Sequence, residues 1–93
     1  MRNTNTDWIQ MSDAAIIEHI GSYIKQERFQ QNRTQSQLAE IAGLNRWTIS
    51  QIENGESITL TSLIQLLRAL DNLHVLSEFN NSEEISPLEY AKL

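Results

Sequence analysis

Arg46, Trp47, Ser50 and Gln51 are spaced i, i+1, i+4 and i+5, so any helix containing them shows them on one side. Their chemistry is recognition. A guanidinium offers a rigid fork of donors, a primary amide pairs donors with an acceptor, a hydroxyl does both, and an indole adds a large apolar face. Those groups match base edges: Arg can hold guanine O6 and N7, Gln adenine N6 and N7, and an apolar ring can touch a thymine methyl. Each residue also has a blander reading, with Trp47 tucked against a neighbouring helix and Ser50 and Gln51 simply solvated. Catalytic chemistry has no comparable footing. There is no cysteine, hence no disulfide, thiol nucleophile or thiolate metal site. His19 and His74 lack partners at metal-binding spacing, and no Gly-rich phosphate loop or nucleophile motif is present. The expectation is a protein that is not an enzyme and needs no metal or cofactor.

The elements that must position these residues follow from caps and apolar spacing. Ser12 is a good N-cap, and Ala14, Ile16, Ile17, Ile20, Ile24 and Phe29 recur with helical period, which predicts a helix over about 13–31. Gly21 interrupts it, marking a bend or a close packing contact. Thr34 with Gln37 makes a capping box for a short helix with Leu38, Ile41 and Ala42 inward, and Gly43 supplies a left-handed end. Asn45 caps the next helix, with Ile49 and Ile52 inward, and Asn54-Gly55 turns the chain. Thr59 caps the most apolar helix, with Leu60, Leu63, Ile64, Leu66, Leu67 and Leu70. After a break at Asp71-Asn72, Leu73, Val75, Leu76 and Phe79 suggest a short helix that covers the core or forms a dimer seam. Ser86-Pro87-Leu88-Glu89 reads as one last helical start. No stretch alternates with period two, so the expected class is all-α.

Ninety-three residues suit one small domain. The formal charge of -5 has the wrong sign for a nucleic-acid partner. Its distribution reverses that inference. Lys25, Arg28, Arg33 and Arg46 outnumber Glu27, Glu40 and Glu53, so residues 25–55 form the one net-positive segment, while the acid gathers after residue 70. No apolar run approaches the roughly 18 residues of a membrane span. The first residues lack the apolar centre of a signal peptide, so a cytoplasmic, nucleoid-associated protein is expected. The glycosylation-type triplets at Asn32 and Asn80 are then accidental.

With these residues in view, the segment 21–70 resembles the helix-turn-helix domain of Cro/cI-type, xenobiotic-response-element regulators. The matching residues are Ile24-Lys25 with Arg28, Thr34-Gln35-x-x-Leu38-Ala39, Ala42-Gly43-Leu44, Thr48-Ile49-Ser50-x-Ile52-Glu53-Asn54-Gly55 and Leu63-Ile64-x-Leu66-Leu67-x-Ala69-Leu70. The resemblance implies base reading by Arg46, Trp47, Ser50 and Gln51. It implies phosphate contact by Gln35, which would also brace the recognition helix. Thr34, Asn45, Thr48 and Asn54 are implied backbone contacts, with Arg33 and Lys25 adding charge. Trp47 departs from the small polar residue common at its position; it would read a methyl group or stack along the sugar edge. Glu53 fits an internal salt bridge, for which Arg28 is a candidate partner, or a cap, better than any catalytic role.

The resulting expectation is a lambda-repressor-like, five-helix, all-α domain that binds double-stranded DNA as a homodimer and represses transcription. Its parts are an arm over 1–11, the DNA-binding domain over 12–79 with its helix-turn-helix at 34–55, and an acidic extension over 80–93. The expected dimer interface is Leu73, Val75, Leu76 and Phe79. The flow from Asn54 through the leucine-rich helix to Ser86-Pro87 is also similar to HipB-like antitoxins. That similarity implies a second partner, a HipA-type kinase toxin, docked by the acidic extension.

Overall fold

The computed structural model describes residues 8–80; the Ser86–Glu89 helical start and nearly all of the acidic extension lie outside the described residues, as do residues 1–7. Residues 8–10 form a short helical turn, and the Trp8 ring meets His19 edge-on at 5.2 Å. Four α-helices follow: α1 (Asp13–Gln30), α2 (Gln35–Ala42), α3 (Arg46–Glu53) and α4 (Leu60–Ala69). A 3-10 helix over Leu73–Phe79 completes an all-α array, with no strand among the described residues.

Local capping chemistry sets every α-helix start. The side chains of Ser12, Thr34, Asn45 and Thr59 accept from the backbone N–H three residues on, and Thr34 and Gln37 close a reciprocal capping box. Each such cap stabilises its helix by about 1 kcal/mol. Gly43 ends α2 at φ 75°, a left-handed conformation that would strain a side-chain-bearing residue. Asp71, at φ 62°, turns the chain after α4.

The core takes at least one side chain from every α-helix: Ile24, Leu38, Ile49, and then Leu66 with Leu70 at the end of α4 are fully buried. Burying side chains of this kind contributes roughly 1.5–3 kcal/mol each. Leu73 and Leu76 of the 3-10 helix pack against that cluster. Val75 and Phe79 remain exposed.

Several expectations about the core change, and Ala14, in the first turn of α1, is exposed rather than part of the apolar stripe. Phe29 is 57% exposed, and the neighbouring Arg28 is buried in its place. The guanidinium tolerates burial because it is fully engaged, whereas the Phe29 ring lies outside with that guanidinium 4.7 Å from its centre. Ile41 is exposed, while Ala39 joins Leu38 and Ala42 inside. α2 packs against both α3 and α4, and small alanines permit that close approach. Leu60, in the first turn of α4, is exposed as well.

Gly21 produces no break, since α1 runs unbroken through it. A methyl group built at Gly21 would overlap the Ile52 carbonyl oxygen. The glycine thus brings α1 against the C-terminal turn of α3, a close backbone approach that no other residue permits.

Candidate nucleic-acid interface

α2 and α3 are joined by Gly43, Leu44 and Asn45, and the Leu44 N–H returns to the Ala39 carbonyl at 2.9 Å. Leu38 and Ala42 on α2 and Ile49 and Ile52 on α3 are buried together, fixing the angle between the two helices. What remains outside on α3 is its N-terminal, solvent-facing side.

A polar chain ties that side to the rest of the molecule. Arg28 on α1 grips Glu53 on α3 with both ends of its fork, Nε donating to Oε2 at 2.7 Å and Nη2 to Oε1 at 2.9 Å. Its remaining Nη1 donates to the Arg33 carbonyl at 2.9 Å. The Arg28 and Glu53 side chains are only 8% and 2% exposed. The hydrogen bond to Glu53 holds the Arg28 pKa above its ordinary value, outweighing the opposite effect of burial. Gln35 then donates from Nε2 to Glu53 Oε1 at 3.0 Å and accepts at Oε1 from Arg46 Nη1 at 2.7 Å. The amide is thereby oriented at both ends, and the Arg46 guanidinium is drawn toward the start of α2.

The four residues expected to read bases do share the outer side of α3. Arg46 and Trp47 are exposed, with Trp47 at 66%, while Ser50 and Gln51 are half-buried. Asn54 Nδ2 lies 3.4 Å from Ser50 Oγ, at the long end of hydrogen bonding.

The residues expected on the phosphate backbone separate into groups. Arg33, Thr34 and Gln35 line one shallow hollow with the expected base reader Arg46 and with Arg28, Phe29, Asn32 and Ser36, beside the first turn of α2. Free N–H groups of a helix start favour an anion there, and Arg46 adds a cation. Arg33 has a structural task too, since Nη1 donates to the Ala69 carbonyl at 3.2 Å and satisfies the end of α4. Gln31 does the same for the Leu70 carbonyl at 2.9 Å. Thr48 Oγ1 donates to Asn45 Oδ1 at 3.2 Å, so the two expected contacts form one cap. Lys25 lies apart from the hollow on α1, its ammonium 5.9 Å from the centre of the Phe29 ring.

On the other flank of α3, Thr48 and Gln51 line a second hollow with Ser57, Ile58, Thr59 and Ser62. This row of hydroxyls is not singled out by the sequence reading, where Thr59 counts only as a cap. Its signal is the concentration of short hydroxyl residues from Ser57 to Ser62, which local turn chemistry explains equally well.

Among the described residues, no helix is long and apolar enough to cross a membrane. No curated protein matches the chain. The sequence profile of the helix-turn-helix family matches residues 24–75, from the middle of α1 into the 3-10 helix and over more than half of the chain. That span holds the turn at Gly43, the outer side of α3 and the ion pair beneath it. The chain belongs to the helix-turn-helix family of Cro/cI type and is a DNA-binding transcription regulator.

Proposed function

We propose that the protein is a sequence-specific repressor that binds an inverted-repeat operator as a homodimer. The observation that carries this reading is the outer side of α3, where donors, acceptors and an indole project from a helix whose inner side is anchored by Ile49, Ile52 and Glu53. Placed in a major groove, Arg46, Trp47, Ser50 and Gln51 meet base edges. Gln35 braces Arg46 and approaches the phosphates, and Arg33, Thr34, Asn45, Thr48 and Asn54 border the same surface. Lys25 adds charge from α1. Phosphate contacts supply much of the affinity and the α3 side chains supply the discrimination.

A single module of this kind covers only about 600–1,000 Å² of DNA-facing surface, so pairing raises both affinity and specificity. Two-fold symmetry places the two copies of α3 roughly 34 Å apart, one turn of DNA. Val75 and Phe79 are the exposed members of the proposed seam; Leu73 and Leu76 contribute by holding the 3-10 helix on the core. Repression follows from occupancy, because polymerase and regulator compete for the same duplex. The toxin-binding alternative rests on the acidic extension, and no feature of the described residues favours it.

Selection of bound fragments from a random duplex pool tests this reading. A palindromic motif with half-sites one turn apart, bound at the mass of a dimer, is expected. Recovery of fragments with no common sequence would contradict it.

A further inference from the structure

We propose that Trp47 is a specificity-determining residue that reads the C5-methyl group of a pyrimidine in the floor of the major groove. The inference rests on the operator-binding reading above and assigns a ligand group to one of its side chains. Its basis is where Trp47 sits on α3. At about 100° per residue, setting Arg46 at zero puts Ile49 near 300° and Ile52 near 240°. Both isoleucines are buried, so the outward direction of the helix lies near 90°. Trp47, at about 100°, points almost straight away from the core. Arg46 lies on the flank toward α2, where Gln35 holds it, and Thr48 lies on the flank toward the Ser57–Ser62 hydroxyls.

Those flanks lie nearest the two sugar-phosphate strands when α3 lies in a groove, and from there only a long side chain such as that of Arg46 extends inward to a base edge. The central direction faces bases. A ring stacked along a sugar edge would have to project from a flank, and Trp47 does not. It also occupies the second position of α3, in the N-terminal turn that enters a groove most deeply in this docking mode.

The chemistry of the indole narrows the target. Trp47 is 66% exposed and makes no hydrogen bond or ring contact with another described residue, so its apolar face is available. The apolar feature that distinguishes base pairs in the major groove is the C5-methyl of thymine, and a 5-methylcytosine presents the same group. Removing that methyl from water is favourable on the scale of one buried carbon, about fourfold in affinity.

The test uses the full-length protein and duplexes recovered by selection from two random pools, one unmodified and one methylated at cytosine C5. Enrichment of thymine in the first, or of methylated steps in the second, identifies the pyrimidine. Each enriched thymine is then replaced by uracil, or each 5-methylcytosine by cytosine, and affinity is measured for wild type and Trp47→Ala. Loss of one methyl should weaken wild-type binding about fourfold and leave the variant unchanged. Equal weakening of both proteins, or none in wild type, overturns the assignment while the selected motif still supports operator binding. Failure to select any motif would overturn the operator reading itself. An unchanged melting temperature for Trp47→Ala confirms that the difference arises at the interface.

Discussion

The two sides of α3 are built on opposite rules. The inner side is fully committed: Ile49 and Ile52 are buried, Glu53 is locked to Arg28, and Gly21 presses α1 against the Ile52 carbonyl. The outer side is left open, and Trp47 there makes no contact that the fold requires. Eight residues thus carry a rigid inner mount and an outer surface that the fold leaves replaceable. The two sides should fail differently, the inner through stability and the outer through discrimination.

The largest effect is expected from Glu53→Ala, which strands the buried Arg28 guanidinium. Removing one partner of such a pair costs about 3–5 kcal/mol, and denaturant unfolding should show the loss together with weaker binding to every duplex. Gly21→Ala should follow at roughly 1–3 kcal/mol, because the new methyl meets backbone that cannot swing aside. Chemical denaturation of that variant should again find lower stability, with the preferred operator unchanged.

On the outer side, Arg46→Ala should leave unfolding nearly untouched and weaken specific binding by about 1–3 kcal/mol, relaxing preference at one base pair. Competition binding against single-base operator variants measures that. Gln51→Ala should relax a different base pair; a uniform loss across all sequences would place Gln51 on the backbone instead. The smallest effect belongs to Asn45→Ala, where losing the cap costs about 1 kcal/mol. It tests the boundary between the two sides, since the same cap starts the helix and borders the expected DNA surface.

Much of this division was legible in the sequence because its signals are local. The four caps at Ser12, Thr34, Asn45 and Thr59, the left-handed Gly43 and the turn at Asn54-Gly55 depend on neighbours within a few residues. For Glu53 the sequence offers a salt bridge or a cap, and the packing of α1 against α3 decides for the pair with Arg28. Where tertiary packing chooses between adjacent residues, the pattern fails. Phe29 and Ile41 fit an apolar stripe, yet Arg28 and Ala39 occupy the buried positions. An ion pair and a close helix crossing reward residues that hydrophobicity ranks lower. Gly21 similarly offers a bend or a contact, and only the position of the Ile52 carbonyl decides. The side-chain caps on the end of α4 from Gln31 and Arg33 bridge residues far apart in the chain and leave no local trace.

The central claim is that the outer side of α3 carries sequence discrimination without carrying the fold. Replacing Arg46, Trp47, Ser50 and Gln51 together by alanine tests it most directly, by comparing affinity for the selected operator and a scrambled duplex at fixed salt. The expected result is a nearly unchanged melting temperature, retained weak binding to both duplexes, and a specificity ratio falling from about 10³ or more to near one. A folded quadruple variant that still discriminates the operator would contradict the account.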